Sequence, residues 1–200
     1  MQHAQLNEAA LLRRYRRILW VALVANVAMF AIEILAGWQG QSLSLLADAV
    51  DFLGDAVNYG ASLLAFSFGA LWRSRTALGK GIAMSGYGLA ILGEAFWYVT
   101  HGSSPHATLM GVVSILALGV NLLVALLLYE HRNGDADMRA VWLCSRNDAI
   151  GNLGVLAAAL AVYATGRAWP DLAVAAGIAL LALASGSSVI RHSLRELSNV

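Results

Sequence analysis

Asp48, Asp51 and Asp55 occupy two turns of one apolar stretch, SLSLLADAVDFLGDAVNYGASLLAF. A helix turns by about 100° per residue, which places the three carboxylates within roughly 60° of one another on one face. Their neighbours Leu43, Leu45, Leu46, Val50, Phe52, Leu53, Leu63, Leu64 and Phe66 are those of a membrane-spanning segment. A charge at the bilayer centre costs about 2.5 to 3.5 kcal/mol on insertion scales, and three stacked carboxylates also repel one another. Such a row persists where something cationic neutralises it, and a metal ion or protons are the obvious candidates.

A second set of polar groups lies in VWLCSRNDAIGNLGVLAAAL. Cys144 and Asp148 are one turn apart and can face the same point, and Asn152 continues that face. Asn147 is about 60° from Cys144, whereas Arg146 is about 200° from Asp148 and does not neutralise it in place. Two helices that each offer donors at i and i+4 can enclose a tetrahedral cation site, and zinc accepts four ligands drawn from Asp, His and Cys. Asp51 and Asp55 would supply two, Asp148 the third, and Cys144 or Asn147 the fourth. Asp48 lies one turn away and reads as an access-path or hydrogen-bonding residue, with Asn152 a further pathway residue.

Plainer readings stand beside these. An intramembrane acid can be a proton relay or half of a buried ion pair, with Glu33, Glu94 and Arg146 as partners. A lone cysteine is often simply a small buried hydrophobe. His101 and His106 flank one turn and His131 adjoins another, positions that suit solvated rather than coordinating imidazoles. Asn26, Glu33, Glu94 and Asn121 suit helix-joining hydrogen bonds. Gly81, Ser85, Gly86, Gly88, Gly177, Ser185, Gly186 and Ser187 suit close helix packing.

The elements that position these groups follow from composition. The 200 residues are 59% hydrophobic and only 12% charged, against about 25% charged in a soluble domain. A span needs about 20 apolar residues. Six are expected, at 14–37, 43–70, 80–100, 107–130, 139–164 and 170–191, forming an all-α six-transmembrane-helix bundle. Short connections join them: Gly37–Gln41, Arg73–Gly79, Gly102–Pro105, HRNGDADMR at 131–139 and TGRAWP at 165–170. Pro105 and Pro170 are expected in those loops. Residues 1–200 read as a single transmembrane domain without a cleavable signal peptide, and no soluble domain is expected after the last span. The single Cys144 excludes an intramolecular disulfide. Arg13, Arg14, Arg16, Arg17, Arg73, Arg75, Lys80, Arg132, Arg139, Arg191 and Arg195 fall on one side of these spans and only Arg167 on the other. The positive-inside rule then places both termini in the cytoplasm.

These residues and their order resemble the transmembrane domain of a cation diffusion facilitator. The resemblance runs through NVAMFAIEILAGWQGQSLSLLADAVDFLGD, GVNLLVALLLYEHR, SRNDAIGNLGVLAAAL and DLAVAAGIALLALASGSSVIRHSLREL, which together cover nearly the whole chain. Members carry [HD]xxxD on the second span and again on the fifth. The first motif is intact as Asp51–Asp55, while Cys144 stands where His or Asp is usual before Asp148. The resemblance implies a proton-coupled antiporter that exports divalent transition metals by alternating access, with zinc first and cobalt and cadmium beside it. It implies a homodimer in the lipid bilayer, in a bacterial inner membrane, with the metal ion and protons as partners and no nucleic acid. The metal is cargo rather than cofactor. Most members append a small cytoplasmic domain after the last span, and the resemblance leaves two expectations for this chain: a truncated sequence, or membership of the minority without that domain. Cys144 favours softer ions over manganese or magnesium.

Other classes fit less well. A cation or proton channel, or an importer, would use the same acids, but no Gly/Ser-rich filter sequence is evident. An enzyme with an intramembrane metal would need a water-activating motif such as HExxH, which is absent, and no His lies mid-span. A scaffold would not need carboxylates in the bilayer.

Overall fold

Long runs rich in Ala and Leu, good helix formers, with both prolines confined to their edges, fold as helices. A computed structural model gives α1 (Gln2–Gln39), α2 (Leu43–Ala65), α3 (Ala70–His101), α4 (Ala107–Leu128), a 3-10 turn at Tyr129–His131, α5 (Ala136–Thr165) and α6 (Trp169–Ser198). The structure describes residues 2–65, 70–131 and 136–198, without the side chains of 2–12, 65, 70–74, 76, 131, 136–141, 143, 144, 146, 147 and 196. Among the described residues there is no strand.

The expected six-helix, all-α bundle is the observed one, but several helices outrun their spans. The segment expected to connect the second and third spans, Arg73–Gly79, is helical and forms the first turns of α3. α1 begins at Gln2 and α6 continues to Ser198. Hydropathy marks where the bilayer ends, whereas a helix stops only where caps or breakers stop it. Pro170, expected in a loop, is the second residue of α6, where a missing N–H costs nothing.

Arg13–Gln39, Ala77–His101, Ala107–Leu128, Asp148–Thr165 and Trp169–Arg195 are long and apolar enough to cross a membrane. α2 carries three aspartates in every 18-residue stretch and is not among these five. It packs on α1, α3, α5 and α6, so its acids face protein rather than lipid. The outward surface is apolar instead, with Trp20, Val24, Leu89, Phe96, Leu126, Leu160 and Leu181 exposed. The molecule is a multi-pass integral membrane protein.

The helices pair as α1 with α2, α4 with α5, and α3 with α6. The last seam is built on glycines. A Cβ on Gly81 would stand 3.0 Å from the Gly186 carbonyl oxygen, and one on Gly88 would stand 3.0 Å from that of Ala179. Gly86, Gly177 and Ser185, expected to share this packing, are exposed because they lie on other faces of their helices.

One end of the bundle is tied through backbone and carboxylate. The Gly40 amide donates to the Ala36 carbonyl at 2.7 Å, and Ser42 donates to Gly37 at 2.9 Å across a turn in which Gln41 takes φ 49°. Asp171 of α6 then caps α2. Its Oδ1 accepts from Ser42 Oγ (2.7 Å), Ser44 N (3.0 Å) and Ser44 Oγ (2.6 Å), and its Oδ2 accepts from Leu43 N (2.7 Å). The otherwise orphaned amides of a helix N-terminus thus meet a full negative charge. The His106 amide donates to the Gly40 carbonyl at 2.8 Å and brings the α3–α4 connection to the same end. At the opposite, arginine-rich end Arg14 meets Glu130 at 2.7 Å on the surface.

Candidate cation site

The mid-bundle level is fixed by Met29, Phe52 and Ala117, which pack α1, α2 and α4 together. Asp51 and Asp55 flank Phe52 on α2. Asp55 is buried and Asp51 half-buried. Asp148 comes from α5, beside Asp55 and within electrostatic reach of Asp51 and Asp48. Its Oδ2 is buried without a hydrogen-bond partner. Asp51, Asp55 and Asp148 thus lie within electrostatic reach of one another.

The remaining sequence-derived residues divide. The side chains of Cys144 and Asn147 lie outside the described residues, as do those of Arg146 and His131. Asp48 is buried one turn from Asp51, next to Glu33 of α1. Asn152 is buried one turn beyond Asp148, and neither of its amide atoms has a partner. Asn26 does not join helices: its amide donates back to the Ala22 carbonyl of its own helix at 2.8 Å. Glu94 is exposed on the outer face of α3 and joins no other helix among the described residues. His101 is exposed and stacks on Trp97, while exposed His106 caps α4 by accepting from the Leu109 amide at 3.3 Å. Among the described residues no three His, Cys, Asp or Glu side chains already form a metal cage.

Two features escaped the sequence reading. Tyr59, one turn beyond Asp55, donates its hydroxyl to Asp55 Oδ2 at 2.6 Å and also meets Ser145 Oγ of α5 at 2.7 Å. With the phenol proton given to the carboxylate, the Ser145 hydroxyl donates to Tyr59. That chain ties α2 to α5 and fixes the orientation of Asp55. The i+4 spacing of Tyr59 was the available signal, hidden because an aromatic there equally suits the core. The second is Lys80 of α3. Its Nζ donates to Asn58 Oδ1 at 2.6 Å and lies within electrostatic reach of Asp51. A long-range contact of this kind leaves no trace in spacing.

Residues 19–198 match the profile of the cation efflux transmembrane domain. The "Cadmium, cobalt and zinc/H(+)-K(+) antiporter" of Bacillus velezensis is 27% identical over 196 residues, covering 91% of this chain and 63% of that protein. The "Metal cation efflux system protein CzcD" of Cupriavidus metallidurans is 28% identical over 193 residues, covering 90% and 61%. The "Zinc transporter ZitB" of Escherichia coli is 27% identical over 197 residues, covering 91% and 62%. The chain thus spans less than two thirds of the length of these relatives.

Proposed function

The chain belongs to the cation efflux transmembrane domain family, and from that premise we propose that it exports divalent transition-metal ions from the cytoplasm in exchange for protons. Zinc is the first candidate, with cobalt and cadmium beside it, in line with the names of the relatives. The observation that carries this reading is that Asp51 and Asp55 of α2 and Asp148 of α5 lie within electrostatic reach of one another inside an apolar bundle.

The metal ion is cargo. It enters from the arginine-rich end, which the charge asymmetry assigns to the cytoplasm together with both termini. Asp51, Asp55 and Asp148 receive it, and Cys144 completes the set, with Asn147 as the alternative fourth donor. Bound metal offsets the mutual repulsion of the three acids. In its absence the ammonium of Lys80 partly offsets the charge of Asp51. Metal ligands must be deprotonated, so protons arriving from the far side weaken the site and release the ion. The glycine-lined seam suits α3 and α6 to move as one body against the other four helices, which gives alternating access a mechanical basis. A homodimer held by membrane helices is part of this reading.

The experiment is metal uptake into sealed proteoliposomes under an imposed pH gradient, comparing zinc, cobalt, cadmium and manganese, with Asp51→Ala as control. Saturable zinc uptake abolished by Asp51→Ala supports the proposal. Uptake that survives this substitution, or equal movement of manganese and zinc, contradicts it. Asp51→Ala should retain its fold, since it removes a carboxylate that the interior solvates poorly.

A further inference from the structure

Glu33 is a buried carboxylate that the proposed exchange does not use. It is 0% exposed, and both carboxylate oxygens lack hydrogen-bond partners. Its neighbour across the α1–α2 interface is Asp48, 1% exposed, whose Oδ2 is likewise partnerless. Asn152 of α5 is 0% exposed with both Oδ1 and Nδ2 unpartnered.

The packing places Asn152 at the level of these two acids. Asp148, one turn before it, stands against Asp55 and Asp51. Val155, three residues after it on the same side of α5, belongs to one packed cluster with Leu45 of α2 and Ala36 of α1. Leu45 is three residues from Asp48, and Ala36 is three from Glu33. Asn152 is therefore bracketed on α5 as Asp48 is on α2 and Glu33 on α1, so the three side chains share one layer. That layer lies between the Asp51/Asp55/Asp148 site and the end of the bundle capped by Asp171.

We propose that Glu33, Asp48 and Asn152 form a second divalent-cation station, one helical turn beyond the first, which takes over the metal ion on its way out. This deepens the exporter reading and rests on it. Two carboxylates and a carboxamide oxygen supply three oxygen donors to an ion. An all-oxygen site holds a borderline ion such as zinc more weakly than one that includes a thiolate, which suits a station on the release side.

Equilibrium dialysis of the full chain in detergent against zinc alone, with bound metal quantified per chain, tests this. The expectation is two ions for the unaltered chain, one for Glu33→Gln, one for Asp55→Asn and none for the double variant. Asn152→Ala should weaken the second binding step about tenfold while the first is unchanged. A thermal melt of each variant confirms that it is folded. Should Glu33→Gln prove unfolded, Asn152→Ala decides alone. One ion in the unaltered chain, lost in Asp55→Asn and indifferent to Glu33→Gln and Asn152→Ala, overturns the station and leaves the exporter reading intact. No zinc bound by the unaltered chain overturns both.

Discussion

Asp55 depends on Tyr59 for its orientation, since the phenol hydroxyl reaches it at 2.6 Å and is itself held by Ser145. Groups that orient metal ligands commonly contribute 10- to 100-fold to metal affinity. Tyr59→Phe should therefore weaken zinc binding by about tenfold in calorimetry, with its melting temperature little changed. An unchanged affinity would reduce Tyr59 to a packing residue. The acids themselves were legible in the sequence, because a carboxylate in an apolar helix is costly and must be explained. Tyr59, Ser145 and Lys80 were not, because a tyrosine or serine in a helix costs little and its partner is chosen by the fold. Asn26 and Glu94 show the converse. Their polarity was visible, but which way each side chain turns was decided by helix rotation, and neither bridges to another helix among the described residues.

The helix ends and seams carry the stability of the bundle. Asp171 accepts four hydrogen bonds at the start of α2, two of them from backbone amides that otherwise lack partners. Loss of a cap costs about 0.5 to 2 kcal/mol, and a bond to a charged group about 1.5 to 3 kcal/mol. Asp171→Ala should accordingly destabilise the folded chain by at least about 2 kcal/mol in a detergent melt. Arg14→Ala, which breaks the exposed pair with Glu130, should change it by less than about 1 kcal/mol. In the α3–α6 seam a side chain on Gly186 would press on the Gly81 carbonyl, so Gly186→Val should cost about 1 to 3 kcal/mol by overpacking. Five of the six helices were readable from hydropathy because lipid demands an apolar outward face, and α2 was readable from its apolar run despite its three aspartates. Their ends were not, since α1, α3 and α6 continue beyond the apolar stretch as amphipathic or polar helix. Asp171 sits at the edge of a span, where an acid needs no special explanation, and its 129-residue reach to Ser42 could only come from the fold.

At the scale of the whole molecule an apolar shell encloses a polar interior that runs from Asp55 and Asp148 through Asp51 to Asp48, Glu33 and Asn152. No histidine stands among the described residues of that interior. Transport should therefore not follow the titration of a free imidazole, near pH 6.5. A rate profile with a single midpoint there would contradict carboxylate-based exchange. Export as proposed requires that acids of α2 and α5 together hold an ion that protons displace. The most direct test records zinc entry and proton exit simultaneously in proteoliposomes, with a zinc dye and a pH dye, for the unaltered chain and for Asp148→Asn. Zinc and proton fluxes are expected in a fixed ratio, both abolished together by Asp148→Asn. Zinc movement without proton movement, or coupled fluxes that persist in Asp148→Asn, would contradict it.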